Sequence, residues 1–120
     1  MALAARIALG FVAIQHILFM VLEMFLWTKP FGRRAFGLSE QLANDSAALA
    51  ANQGLYNGFL AAGLIWAMVP GPHAIAVGIF FTACVVVAGV FGGLTAKRSI
   101  LVVQALPGAI ALALVLASRG

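Results

Sequence analysis

Four runs of the chain, at about residues 3–27, 47–69, 73–94 and 100–117, are almost wholly apolar. Each has the length a helix needs to cross a bilayer, roughly 20 residues. Backbone in lipid must satisfy its own hydrogen bonds, so such runs fold as helices. A soluble domain carries about 25% charged residues. This 120-residue chain is 64% apolar and 8% charged, and seven Lys or Arg with three Asp or Glu cannot cover a water-facing surface. An ordinary soluble enzyme and a disordered chain are excluded. So is a nucleic-acid-binding domain, despite a pI near 10.3. The expected fold class is all-α: a four-helix transmembrane bundle running up-down-up-down, one integral membrane domain over residues 1–120, with the lipid bilayer as its main partner.

The first run carries Arg6 and then stays apolar for too long to be a signal-peptide core, so a retained span is expected. Pro30 and Gly32 are expected to end it, with Trp27 in the interfacial aromatic belt. Ser39 is a candidate cap for a short interfacial helix, and Asn44, Asp45 or Ser46 for the second span. Whether these segments join is left open by the sequence. Pro70-Gly71-Pro72 makes a tight turn, and Pro107 is expected to kink the last span by removing the bond to the Val103 carbonyl. Lys29, Arg33, Arg34, Lys97 and Arg98 lie in the loops after the first and third spans, against Arg6 and Arg119 on the terminal side. The positive-inside rule then puts loops 28–46 and 95–99 in the cytoplasm and both termini outside. Gly54, Gly58 and Ala62, and separately Gly89 and Gly93, form small-residue stripes suited to close helix packing within the bundle.

Polar side chains within the spans are few, and each asks for a reason. They are His16 and Glu23, beside Arg6 and Gln15, in the first, Asn52, Gln53, Tyr56 and Asn57 in the second, Thr82 in the third, and Gln104 in the fourth. By helical rise, Glu23, Asn52, Gln53 and Gln104 fall in one layer ~6–9 Å from the basic side, with His16 about 16 Å in. His16 and Glu23, seven apart, share a face, and Asn52 with Tyr56 and Gln53 with Asn57 are i,i+4 pairs. The simplest arrangement turns these faces inward as one polar pocket floored by His16. The plainer reading of each is structural: amides that join helices, or Glu23 paired with Arg33 or Arg34. His73, Trp27 and Trp66 read as helix-end and belt residues. Cys84 is the single cysteine, so no internal disulfide forms, and no ligand spacing for a metal is present. No cofactor is expected.

The run Asn52-Gln53-Gly54-Leu55-Tyr56-Asn57-Gly58-Phe59-Leu60-Ala61-Ala62-Gly63-Leu64 is distinctive, as is Glu23-Met24-Phe25-Leu26-Trp27 with His16 upstream. With Phe36-Gly37-Leu38-Ser39, Gly92, Thr95, Gln104 and Pro107, the chain resembles a family of small bacterial and fungal membrane proteins, the domain of unknown function 1304. The resemblance covers nearly the whole chain. It implies four spans and a membrane location, here the bacterial inner (plasma) membrane, and no established reaction. The epimerase label sometimes attached to members finds no support, since no nucleotide-binding glycine loop is present.

Three functional readings follow. A pocket of amides, a phenol, a carboxylate and an imidazole in an apolar wall suits binding or carriage of a small amphipathic, lipid-like ligand such as a headgroup, an isoprenoid or a quinone. His16, Glu23, Asn52, Gln53, Tyr56, Asn57 and Gln104 would bind it. A membrane enzyme of isomerase type would use His16 and Glu23 as an acid–base pair, although about 10 Å of helix separates them. A purely structural assembly partner would use every polar group for packing. Binding is favoured over catalysis. The oligomeric state is not readable from the sequence.

Overall fold

The computed structural model describes residues 1–119, and among them all regular structure is helical. Helix α1 spans Leu3–Met24, α2 Pro30–Phe36, α3 Glu40–Met68 and α4 Ala74–Thr95. A π-helical turn, Leu101–Ala105, leads directly into α5, Leu106–Ala117. By length and composition α1 and α4 are long and apolar enough to cross a membrane, and the stretch Leu101–Ala117 is a shorter apolar helix. Helix α3 has the length, with 29 residues. Asn52, Gln53, Tyr56 and Asn57 dilute its apolar character.

Several boundaries differ from the sequence expectation. The first helix ends at Met24 and not at Trp27, because residues 25–29 form tight turns, with Lys29 N–H donating to the Leu26 carbonyl at 3.1 Å. Pro30 begins a helix instead of ending one: its fixed φ and missing N–H suit a first turn. Gly37, at φ 66°, terminates α2 in the left-handed conformation, and the Leu38 N–H closes back on the Arg33 carbonyl at 2.8 Å. Ser39 caps the next helix, accepting from the Leu42 N–H at 3.1 Å. That helix is α3 itself, so the polar segment after Ser39 and the second apolar run are continuous. Asn44, Asp45 and Ser46 lie inside it and cap nothing; the Ser46 hydroxyl donates back to the Leu42 carbonyl at 2.6 Å.

The chain divides into two compact units, residues 15–59 and the remainder, which comprises 1–14 and the chain from Leu60 onward. In the second of these, Ala5, Leu9, Val12 and Ala13 of α1 share a core with Leu64, Ala67, Val85, Ala111 and Val115. One stripe of α4 is buried throughout: Ala74, Gly78, Thr82, Val85, Gly89 and Gly93. Its small members let the π-turn and α5 approach closely. A Cβ on Gly89 would fall 2.7 Å from the Ala105 nitrogen, and one on Gly93 would overlap Leu101. The expected Gly89–Gly93 stripe is therefore a contact surface. Thr82 needs no partner helix, since its hydroxyl donates to the Gly78 carbonyl at 2.6 Å. The irregularity expected at Pro107 falls one turn earlier: the Leu106 N–H reaches the Leu101 carbonyl, five residues back. At the α3–α4 turn His73 stacks on Trp66, with ring centroids 5.5 Å apart.

In unit 15–59, the end of α1 packs on the middle of α3. A Cβ on Gly54 would lie 2.6 Å from Met24 Cγ, and one on Gly58 2.7 Å from Met20 Sδ. Ala62, the expected third member of that stripe, is exposed. Each step of four residues turns the helix by about 40°, and two steps carry it off the contact. Trp27 donates from Nε1 to Ser46 Oγ at 3.0 Å and tilts over Phe36, fixing the turn and α2 against α3. Arg33 pairs with Glu40 at 3.5 Å.

Gly32 is buried, and a Cβ there would overlap the Leu26 carbonyl, the acceptor of the Lys29 N–H. Backbone cannot rotate aside as a side chain can. Gly32→Ala is expected to lower stability by about 2–3 kcal/mol, at the upper end for overpacking. Thermal unfolding in detergent checks it, and an unchanged midpoint would contradict this packing.

Candidate functional site

Glu23 and Asn57 are the two predicted site residues that the structure joins directly. Asn57 Nδ2 donates to Glu23 Oε1 at 2.5 Å. Asn57 is buried and Glu23 half-buried. The pair forms because Asn57 flanks Gly54 and Gly58, where α3 lacks side chains and α1 can come close. Glu23 lies in the last turn of α1, where the aligned peptide dipoles disfavour a carboxylate. The Asn57 amide offsets this by donating to one of its oxygens. Glu23 Oε2 has no hydrogen-bond partner among the described residues. Arg33 and Arg34 do not neutralise Glu23: Arg33 goes to Glu40, and Arg34 donates to the Pro30 carbonyl at 3.3 Å.

His16 is fully buried, two turns before Glu23 on the same helix face. Phe19 meets its ring edge-on, with centroids 5.4 Å apart. Sequence reading missed this neighbour, although the three-residue helical spacing was the signal for it. It also missed the Trp27–Ser46 bond, for which the separation of 19 residues gave no local cue.

The expected inward pocket does not collect the remaining residues. Asn52, Gln53 and Tyr56 are exposed. Asn52 donates to the Ala48 carbonyl of its own helix at 3.1 Å, and Tyr56 leans on Phe59. The reason is angular. At about 100° per residue, the four polar residues of α3 spread over an arc of ~140°, and only the Asn57 edge of that arc turns towards α1. Gln104 belongs to the other unit, where its amide donates to the Val85 carbonyl at 3.3 Å and holds the π-turn to α4 beside Gly89. Cys84 is half-buried in α4, and no cluster of three or more His, Cys, Asp or Glu able to hold a metal occurs among the described residues.

Fold and site thus define an all-helical protein with two helices long and apolar enough to cross a membrane and a carboxylate–amide pair between α1 and α3. The chain belongs to the family described as "Protein of unknown function (DUF1304)", whose model matches residues 10–116. The resemblance carried by the second-run motif is thereby borne out. No curated protein and no solved structure matches the chain.

Proposed function

We propose that this chain is a multi-pass integral membrane protein, a four-helix bundle that binds or carries a small amphipathic, lipid-like molecule at the Glu23–Asn57 pair. The four spans would be α1, the apolar part of α3, α4, and the stretch Leu101–Ala117. An apolar outer surface supports the membrane reading. The exposed stripe of α1 is Leu3, Ile7, Phe11, Ile14 and Leu18, while His16 is fully buried beside Ala5, Leu9, Val12 and Ala13. Water disfavours a contiguous exposed stripe of large apolar side chains, and lipid accepts it. The basic residues of α2 and of the turn after α4 mark the cytoplasmic side in this reading.

The observation that carries the ligand reading is the Glu23–Asn57 bond. The helix dipole opposes an acid in the last turn of α1, and Asn57 satisfies only one of its oxygens. An oxygen left at Oε2 accepts hydrogen bonds and attracts positive charge. The ligand class this favours carries a donor, an amine or a hydroxyl, on an apolar body. A quinol fits and a quinone, with acceptors only, does not.

Mass spectrometry of the protein purified in mild detergent tests this. The expected result is one donor-bearing lipid class enriched over the surrounding bilayer, and lost from a folded Glu23→Gln variant. No enrichment in any of several lipid environments, or equal enrichment in Glu23→Gln, would sink it.

A further inference from the structure

We infer that the outer face of α3 is a self-association surface, on which a second copy of this chain packs. The inference rests on the membrane reading above but not on the ligand. Leu42, Asp45, Leu49, Asn52, Tyr56 and Phe59 are all exposed, and they follow each other at alternating steps of three and four. That is the spacing of a helix–helix seam. It lies on the side of α3 opposite Gly54 and Gly58, which already hold α1. The exposed stripe of α1 is apolar throughout and needs only lipid. The α3 stripe carries Asn52 and the Tyr56 hydroxyl within the apolar run, with Gln53 at its edge. Among the described residues Gln53 and the Tyr56 hydroxyl have no hydrogen-bond partner. Acyl chains offer no donor or acceptor, so this face is unsatisfied in lipid.

Symmetry selects the occupant. Copies of one chain insert in one orientation, so a two-fold axis between them runs along the membrane normal, and each seam residue meets its own counterpart. A charged side chain at mid-span would repel itself there. An amide pairs with itself. Asn52 uses one N–H on Ala48, which leaves one N–H and its carbonyl oxygen. Those are the groups that two reciprocal N–H···O bonds between two asparagines consume. A buried asparagine in a helix–helix seam also fixes register, at some cost in stability. Asp45 precedes the apolar run, where water separates it from its counterpart.

Oxidative cross-linking in proteoliposomes tests this in a Cys84→Ala background, which removes the single native thiol. Leu49→Cys and Phe59→Cys leave Asn52 intact and should give dimers at low protein-to-lipid ratio. Leu18→Cys, on the α1 stripe, should not. Adding Asn52→Leu should cut the dimer fraction by roughly three- to tenfold, the worth of one or two intramembrane hydrogen bonds. Because Asn52 is exposed, that change leaves the fold intact. Cross-linking at Leu49→Cys and Phe59→Cys no greater than at Leu18→Cys would overturn the inference, as would a monomer with a lipid seated on this face. Extraction of the whole protein by alkaline carbonate would instead overturn the membrane reading beneath it.

Discussion

Asn57→Leu is expected to destabilise the protein by about 2–3 kcal/mol, because it strands a carboxylate. A hydrogen bond to a charged group contributes about 1.5–3 kcal/mol, and removing one partner of a buried pair exposes the desolvation cost of the other. Asn57 is buried, and its amide is the one donor to Glu23 among the described residues. Leucine fills the same volume and offers nothing. Glu23→Gln behaves differently: its side-chain carbonyl still accepts from Asn57, so the fold persists, while the negative charge offered to a donor ligand is gone. The two variants therefore separate stability from binding. The measurements are thermal unfolding in detergent and mass spectrometry of any lipid that co-purifies. If Asn57→Leu is as stable as the parent, the bond does not hold α1 to α3. If Glu23→Gln unfolds, the acid is structural and the binding reading loses its support.

The second large effect concerns two glycines three residues apart in α4. Gly89→Ala should cost about 2–3 kcal/mol, at the upper end for inserting one methyl into a packed contact. Its Cβ would lie 2.7 Å from the Ala105 nitrogen and 2.8 Å from the Ala105 Cα, and backbone cannot yield without moving the π-turn. That movement would also stretch the Gln104 bond to Val85. Gly92→Ala meets only the Ile100 side chain, at van der Waals distances of 3.4 Å and 3.5 Å. Alanine there is expected to be neutral or to stabilise by up to about 1 kcal/mol, since it removes a glycine from a helix interior. Unfolding midpoints of both variants check the pair. Equal shifts would mean that α4 and the π-turn are not in this contact.

Much of the helical content was legible because long apolar runs have few alternatives. The Gly89–Gly93 stripe was legible for a similar reason: small residues four apart matter only where another backbone comes close. Pro30 misled, because a proline ends a helix from inside but begins one from its first turn, and the local sequence does not say which. The cap residues misled for a related reason. Ser39, Asn44, Asp45 and Ser46 all bear cap chemistry, and only the absence of a break between Glu40 and Met68 decided that Ser39 alone is used.

The site divides along the same line. The sequence by itself determined that polarity inside the apolar runs is confined to Arg6, Gln15, His16 and Glu23, the amide-rich stretch of α3, His73, Thr82 and Gln104, because composition fixes how many such groups exist and spacing fixes which share a helix face. Only the tertiary structure decided which of them meet. Residues on one helix are related by a rigid rotation, but the angle at which a neighbouring helix approaches is set by side chains far apart in the chain. Here Gly54 and Gly58 bring α1 against one edge of the polar arc of α3. That single contact selects Asn57 for Glu23 and leaves Asn52, Gln53 and Tyr56 on the outside.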